Sequence, residues 1–596
     1  MAAALALILC VAALGVRDAC AQVRPDTSAA RPDTTLRAAP DTSGRAVPDT
    51  TLRAIADTTL GALPSLPDTV LGQTEATYGP ASDSVVRARC EGATIRRIDI
   101  RCLSIFDPVP DSRFSPVYSG ANRLHVRTRQ ATVRSQLLIA PGQIWTADRV
   151  FESQRLLRDL EYIEPEVIRS RLVNDSVDVL VITHDQWTTQ PELNVERGGG
   201  ITYGSVGLTE RNMLGLGLAV SLAFHSEPTG KSRSFALTGE RLFGTQLEAQ
   251  AKASTGTAGV SNSYYILDPF RSLDDTRSWT TSWSRADANQ FLYENGLVSA
   301  TFPFTQRVAQ AEYAFGSRST DGVVHRVAVG MALHDRHYGP TEFSPISTID
   351  VASGEEELKL RWGSMRYTLW RPHYIERLGV ELMDPVEDFD VGELMSLEGG
   401  LAMRALGSTA DEGIVKARLD AGHDSRRFGF GLLRTRFSTR LRRVPVETLA
   451  LVDARWIQQP GRDLALVVAA HGEVAADAPR EVQSVVGGLN GLRAYGVQAL
   501  AGTQIWRFNG EARWVAARDV LALASLGGAV FVDAARAWGT GSDNAPWHHD
   551  AGFGLRFSFP HASQHQVARF DIAYPLSPTR DGRRTPVFSF GSSQAF

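Results

Sequence analysis

A lone arginine, Arg493, sits in the glycine-rich stretch GGLNGLRAYGV (487–497), with Tyr495 two positions on. Carboxylates follow at Glu511 in TQIWRFNGEARW (503–514) and at Asp533 in GGAVFVDAARAW (527–538). A guanidinium carries five N–H donors in a planar fork, so it can engage two carboxylates at once through charge-assisted hydrogen bonds. The chemistry on offer is a latch rather than bond breaking. Read as a hydrolytic pair, Glu511 and Asp533 lack a reason to sit beside a cation; read as its counter-charges, they have one. The bland alternative leaves Arg493 as a loop cation over solvent. His548-His549-Asp550 has metal-ligand chemistry, but a short polar loop before a strand explains it more simply. The sequence has no G-x-S-x-G nucleophile elbow, which argues against a fused lipase. The expectation is therefore no catalytic residue, no metal and no cofactor.

Whatever positions this trio must put charged side chains on one side of a strand and apolar ones on the other. In TQIWRFNGEARW, Trp506, Phe508 and Trp514 share one face, while Arg507, Asn509, Glu511 and Arg513 share the other. In GGAVFVDAARAW, Val530, Val532 and Trp538 point one way and Asp533 the other; Arg536 falls on the apolar face, as suits a membrane interface. The same period of two runs through LGLGLAVSLAFH (214–225), through Ala551–Phe559, through Gln566–Tyr574 and into the last strand, with Phe588, Phe590 and Phe596.

Such strands form either a soluble sandwich or a transmembrane barrel whose apolar face meets lipid and whose lumen is polar. No stretch beyond the N-terminal apolar run is long and apolar enough for a membrane-spanning helix. Tryptophans 506, 514 and 538 and Tyr574 lie near strand ends, where interface girdles form. The fold expected is mainly β, an antiparallel transmembrane barrel over 198–596. At roughly two dozen residues per strand and loop it has about sixteen strands, an even number that keeps both ends on one side. Bulk composition agrees: 596 residues, 62 basic against 66 acidic, 52 glycines and 11 tryptophans. A net charge of −4 carries no nucleic-acid footprint.

Ahead of the barrel the chain divides into three. MAAALALILCVAALG followed by Ala19-Cys20-Ala21 reads as a signal peptide over 1–21, and Arg17-Asp18-Ala19 is a poor lipoprotein signal before Cys20. Residues 22–92, with RPDT-type repeats and prolines 25, 32, 40 and 48, read as a disordered linker. Residues 93–185 read as a small α/β unit ordered strand, helix, helix, strand, strand, with Thr146 capping the second helix and a hairpin around Asn174-Asp175. Cys90 and Cys102 remain after export; a disulfide between them is possible but not required, because an extended strand separates them.

This order, with PGQIW joining the helices, resembles a POTRA domain. LRAY (492–495) resembles the loop motif of the BamA/TamA-like outer-membrane assembly-factor superfamily, also called bacterial surface antigens. VFVDAARAW and FNGEARW resemble that family's later strands, and GLTERNMLGLG (207–217) its first hairpin. The resemblance spans roughly 93–596. It implies a sixteen-stranded barrel into which the loop folds back, with Arg493 paired to the acids of adjacent strands and Phe596 serving as the C-terminal signal. Ala494 and Ala535 stand where the family has glycine, Gln594 where an aromatic is common, a long insertion (Phe106–Arg127) follows the first strand, and there is one POTRA unit.

The implied function is insertion or translocation of client polypeptides at the outer membrane, with the POTRA unit and linker in the periplasm. Partners are then membrane lipids, unfolded clients at the POTRA edge and barrel seam, and periplasmic or lipoprotein accessory subunits. Glycines 198–200 and the terminal SSQ are compatible with a weak seam. The alternative is a passive barrel: a pore, a lipid-handling protein or a surface antigen.

Overall fold

A computed structural model describes residues 78–198, 201–227, 229–425, 427–488, 491–539, 545–562, 567–579, 582 and 584–592. The expected signal peptide, most of the repeat segment, Gly199, Gly200, Gln594 and Phe596 lie outside those residues.

Residues 79–185 build a five-stranded sheet. Ser176–Asp185 is central, with Thr94–Leu103 parallel on one side and Arg169–Val173 antiparallel on the other. Asn174 adopts a left-handed φ of 54° in the tight turn of that hairpin, a conformation asparagine tolerates. Helices Gln130–Gln136 and Ala147–Arg158 follow the first long strand; the second is capped by Thr146, whose hydroxyl accepts the Arg149 N–H at 3.4 Å. Ile95, Trp145, Val150, Leu157, Val177 and Val179 form the core.

The unit begins earlier than expected. A strand at Gly79–Pro80 and a helix at Ser84–Cys90 occupy the end of the segment taken for linker. Asp83 caps that helix, accepting the Val85 N–H at 2.8 Å, a local signal masked by the proline-rich sequence upstream. Cys90 and Cys102 are free, buried thiols: one ends a helix and the other is next to last in the strand Thr94–Leu103. The insertion after the first strand carries its own helix, Ser115–Leu124.

From Thr189 to Ser592 antiparallel strands pair in sequence, and the last, Val587–Ser592, pairs with the first, Thr189–Gly198, closing a barrel. It has about 20 strands among the described residues, not sixteen. The estimate assumed long loops, whereas the early strands, such as Gly230–Gly239 and Glu248–Gly256, are short and closely spaced. The barrel also starts at Thr189 rather than 198. Leu208, Leu222, Phe224, Val530, Val532, Phe553, Leu555 and Phe588 are exposed on its outside, the apolar-out arrangement of a lipid-embedded barrel. Among the described residues, no helix is long and apolar enough to cross a membrane.

The α/β unit is docked on one end of the barrel. Arg211 pairs with Glu161 at 2.6 Å, Arg271 Nη1 donates to Gln136 at 2.7 Å, and the Trp187 N–H donates to the His561 carbonyl at 2.6 Å. From this same end a hairpin, Tyr374–Leu378 with Val386–Asp390, enters the lumen. Its Ile375, Val380 and Phe389 are buried against Phe430, Ile457 and Val467 of the wall. Period-two patterning marks strands that have a lipid face, so a hairpin inside the lumen left no such trace in the sequence.

Candidate functional site

The chain between the strands Leu464–Ala476 and Gln504–Val520 is a long loop at the end of the barrel away from the α/β unit. It turns back into the lumen. Ser484–Val486 pairs with Leu500–Gly502 as a short stem. Beyond it Gly491 holds φ +80°, and a Cβ there would fall 2.4 Å from Arg507 Cδ. Glycine is needed at that point on both counts. Leu492, Ala494 and Tyr495 are buried with Ile505, Phe531, Ala535 and Ala537. Ala494 and Ala535 thus pack in one apolar cluster, where their methyl groups find room.

This packing delivers Arg493, 1% exposed, to the inner wall. Its Nε and Nη2 donate to the two oxygens of Asp533 at 2.8 and 2.9 Å, a bidentate fork, and Nη1 donates to Glu511 at 2.7 Å. The guanidinium carbon lies 3.3 Å from the centroid of the Phe531 ring, adding a cation–π contact. All three charged side chains are fully buried. Alternation along the two strands explains the placement: Asn509, Glu511, Phe531 and Asp533 all face inward. Asn509 Nδ2 bonds both Asp533 Oδ1 and the Gly491 carbonyl, each at 2.8 Å, tying carboxylate to loop.

Tyr495 reaches further. Its hydroxyl donates to the Ser577 carbonyl at 2.9 Å, with the His549 carbonyl at 3.2 Å, and its ring meets His548 edge-on. The Ala494 N–H donates to Asp550 at 2.9 Å. His548, His549 and Asp550, expected as a polar loop before a strand, are instead the first residues of the strand His548–Ser558 and contact the loop that carries Arg493. No group of three or more His, Cys, Asp or Glu suited to a metal occurs among the described residues.

The cluster is larger than the sequence reading foresaw. Glu511 also accepts from Arg513 at 3.0 Å and Arg556 at 3.3 Å, and Arg556 donates to Asp571 at 2.6 Å. Arg569 lies 3.5 Å from Asp571. Arginines 493, 513, 556 and 569 thus face Glu511, Asp533, Asp550 and Asp571. The period of two read through Ala551–Phe559 and Gln566–Tyr574 already puts Arg556, Arg569 and Asp571 on the face opposite the apolar residues, but it does not give their partners. Through the Arg513 Nη1 bond to the Val380 carbonyl, 3.2 Å long, the cluster touches the lumen hairpin. At the hairpin's base, Asp388 accepts Arg158 of the α/β unit at 2.9 and 3.0 Å. Phe596, the expected C-terminal signal, lies outside the described residues.

With Arg493, Glu511 and Asp533 paired and fully buried, the site can hold a loop in place. Residues 469–596, which include the arginine, both carboxylates and the last strands, match the Omp85 superfamily domain. Solved structures with similarity include BamA from Haemophilus ducreyi lacking POTRA domains 1–3, at 13% identity and TM-score 0.36, covering 84% of each chain. CdiB from Escherichia coli is similar at 11% identity and TM-score 0.40, covering 84% of this chain and 77% of that one. CdiB from Acinetobacter baumannii gives 10%, 0.38, 84% and 74%. No curated protein sequence matches the chain.

Proposed function

We propose that this outer-membrane barrel, a member of the Omp85 superfamily through its residues 469–596, inserts or translocates client polypeptides across the junction between its first and last strands. The observation that carries this reading is that junction. Among the described residues it has three paired positions, Arg197 with Phe588, Glu196 with Ser589 and Val195 with Phe590. Among the described residues that is fewer than in the next stave pair, Val567–Pro575 with Val587–Ser592, which aligns from Ala568–Ser592 to Ala573–Val587. Each lost backbone pair lowers the cost of parting two strands, and a parted strand offers a client unpaired N–H and C=O groups.

The lumen supports the same route. The loop carrying Arg493 occupies it from one side and the hairpin Tyr374–Asp390 from the other, which directs a client to the wall rather than the axis. The α/β unit, read as a POTRA domain on the periplasmic side, contributes the edge strand Thr94–Leu103. Its outer edge is covered at the start, where Ile95 bonds the backbone of Gly142 and Gln143, and the Ile100 carbonyl accepts from Gln130; strand addition there would displace the Gln130 contact. Arg493, Tyr495, Glu511 and Asp533 act as the latch that fixes the loop against the last strands, and the reading assigns no catalysis.

A passive pore is the second reading, favoured by a lumen cavity of about 450 Å³ lined by Glu312, Arg366, Glu398, Lys416 and Arg436. Depletion followed by profiling of the other outer-membrane proteins separates the two. The assembly reading expects several of them to fall while their transcripts hold; an unchanged profile leaves the pore.

A further inference from the structure

The insertion Phe106–Arg127 has a helix, Ser115–Leu124, that is fixed on one side only. Tyr118 is buried and its hydroxyl donates to the Leu521 carbonyl of a barrel turn at 2.5 Å. Asn122 exchanges two hydrogen bonds with the backbone of Phe106, whose ring lies 4.8 Å from that of His561 in another turn. His125, just past the helix, bonds Asp185 at 2.8 Å. A quarter-turn from this anchored side lie Val117 and Leu124, seven residues apart and so on one face. They are 59% and 78% exposed, and Val126 beside them is 53% exposed.

Three apolar residues left in water are unusual for a helix otherwise so firmly bonded, and their surroundings indicate what covers them. The barrel rim under Tyr118 is apolar and exposed too, at Leu521, Leu523 and Leu526, and Phe559 flanks the neighbouring turn. These residues continue the lipid-facing surface of Trp514, Val530, Phe553 and Leu555. Arg113, Arg123 and Arg127 are exposed around the helix, and between 106 and 129 the acidic residues are Asp107 and Asp111. An apolar strip bordered by arginines, level with the edge of a lipid-embedded wall, is the pattern of an interfacial helix.

We propose that helix Ser115–Leu124 lies in the membrane interface beside the barrel rim, burying Val117, Leu124 and Val126 among acyl chains and offering Arg113, Arg123 and Arg127 to anionic phospholipid headgroups. The helix ties the α/β unit to the bilayer next to the turns that join the last strands, so the unit's position over the mouth depends on lipid as well as on protein contacts.

The test uses the full chain with Cys90→Ala and Cys102→Ala, reconstituted in vesicles of zwitterionic and anionic phospholipid containing shallow spin-labelled lipid. An environment-sensitive fluorophore is placed at Leu124→Cys or Val117→Cys. The control is Val85→Cys, 60% exposed on the helix Ser84–Cys90 beside the opposite edge of the sheet. The label at 124 or 117 should be blue-shifted and quenched several-fold more strongly than at 85. Charge reversal at Arg113, Arg123 and Arg127 should weaken that quenching, with heat-modifiable mobility verifying an intact barrel. Equal quenching at 124, 117 and 85 in folded protein would overturn the proposal and leave the strip to a protein partner. The measurement needs only a barrel in a bilayer, so it stands apart from whether the protein assembles clients.

Discussion

Removing the Arg493 side chain strips Asp533 of two charge-assisted bonds and leaves it with Asn509, while Glu511 keeps Arg513 and Arg556. Deleting one member of a buried ion pair costs about 3–5 kcal/mol, because the other charge is stranded away from water. An exposed pair is worth about 1 kcal/mol or less. With all three side chains fully buried, Arg493→Ala belongs at the upper scale, and so does Asp533→Ala, which takes from the arginine its bidentate partner and leaves Glu511 at 2.7 Å and Asp571 at 3.7 Å. In the double variant no stranded partner remains on that side. Its loss should fall short of the sum of the two single losses by about 2 kcal/mol or more. Arg493→Lys should be intermediate, since an ammonium keeps the charge but cannot span both carboxylates with a fork. Urea titration of the barrel in lipid micelles, followed by heat-modifiable mobility on gels, reads these differences. Additivity within about 0.5 kcal/mol, or a single loss below about 1 kcal/mol, would refute the latch.

Three further outcomes follow from other parts of the structure. Gly491→Ala should destabilise the loop by about 1–2 kcal/mol through its left-handed φ alone, and by more if Arg507 cannot retreat; an unchanged urea midpoint would contradict the packing at that turn. Replacing 379–385, the tip of the lumen hairpin, with glycine and serine should raise single-channel conductance in planar bilayers, and conductance equal to the parent's would show that the hairpin does not occlude. Burial pushes the thiols of Cys90 and Cys102 up from their ordinary value, so maleimide should label neither in folded protein and both in denatured, unreduced protein; a failure to label after denaturation would indicate a disulfide.

The sequence revealed those parts of the fold in which lipid or a protein core imposes a period. Alternation placed Glu511, Asp533, Val530 and Val532 on their correct sides, and the loop motif picked out Arg493 as the cation they face. What it missed lacks a period or competes with a stronger cue. The hairpin Tyr374–Asp390 answers to no lipid face. The helix Ser84–Cys90 follows a proline-rich run that dominates local composition. Arg556 and Asp571 sit in strands recognised as such, yet their partners are set by barrel closure, which brings the last strands beside the loop and which no local window records. The strand count erred because compact early hairpins use fewer residues than the average assumed.

The central claim, that clients pass through the junction of first and last strands, is tested most directly by locking it. Glu196→Cys and Ser589→Cys occupy paired backbone positions across the seam, and oxidation should join them. In cells depleted of the parent protein, the oxidised double variant should fold, accumulate in the outer membrane and fail to restore the other outer-membrane proteins, with reductant bringing them back; full restoration by the oxidised, cross-linked protein would contradict a lateral route.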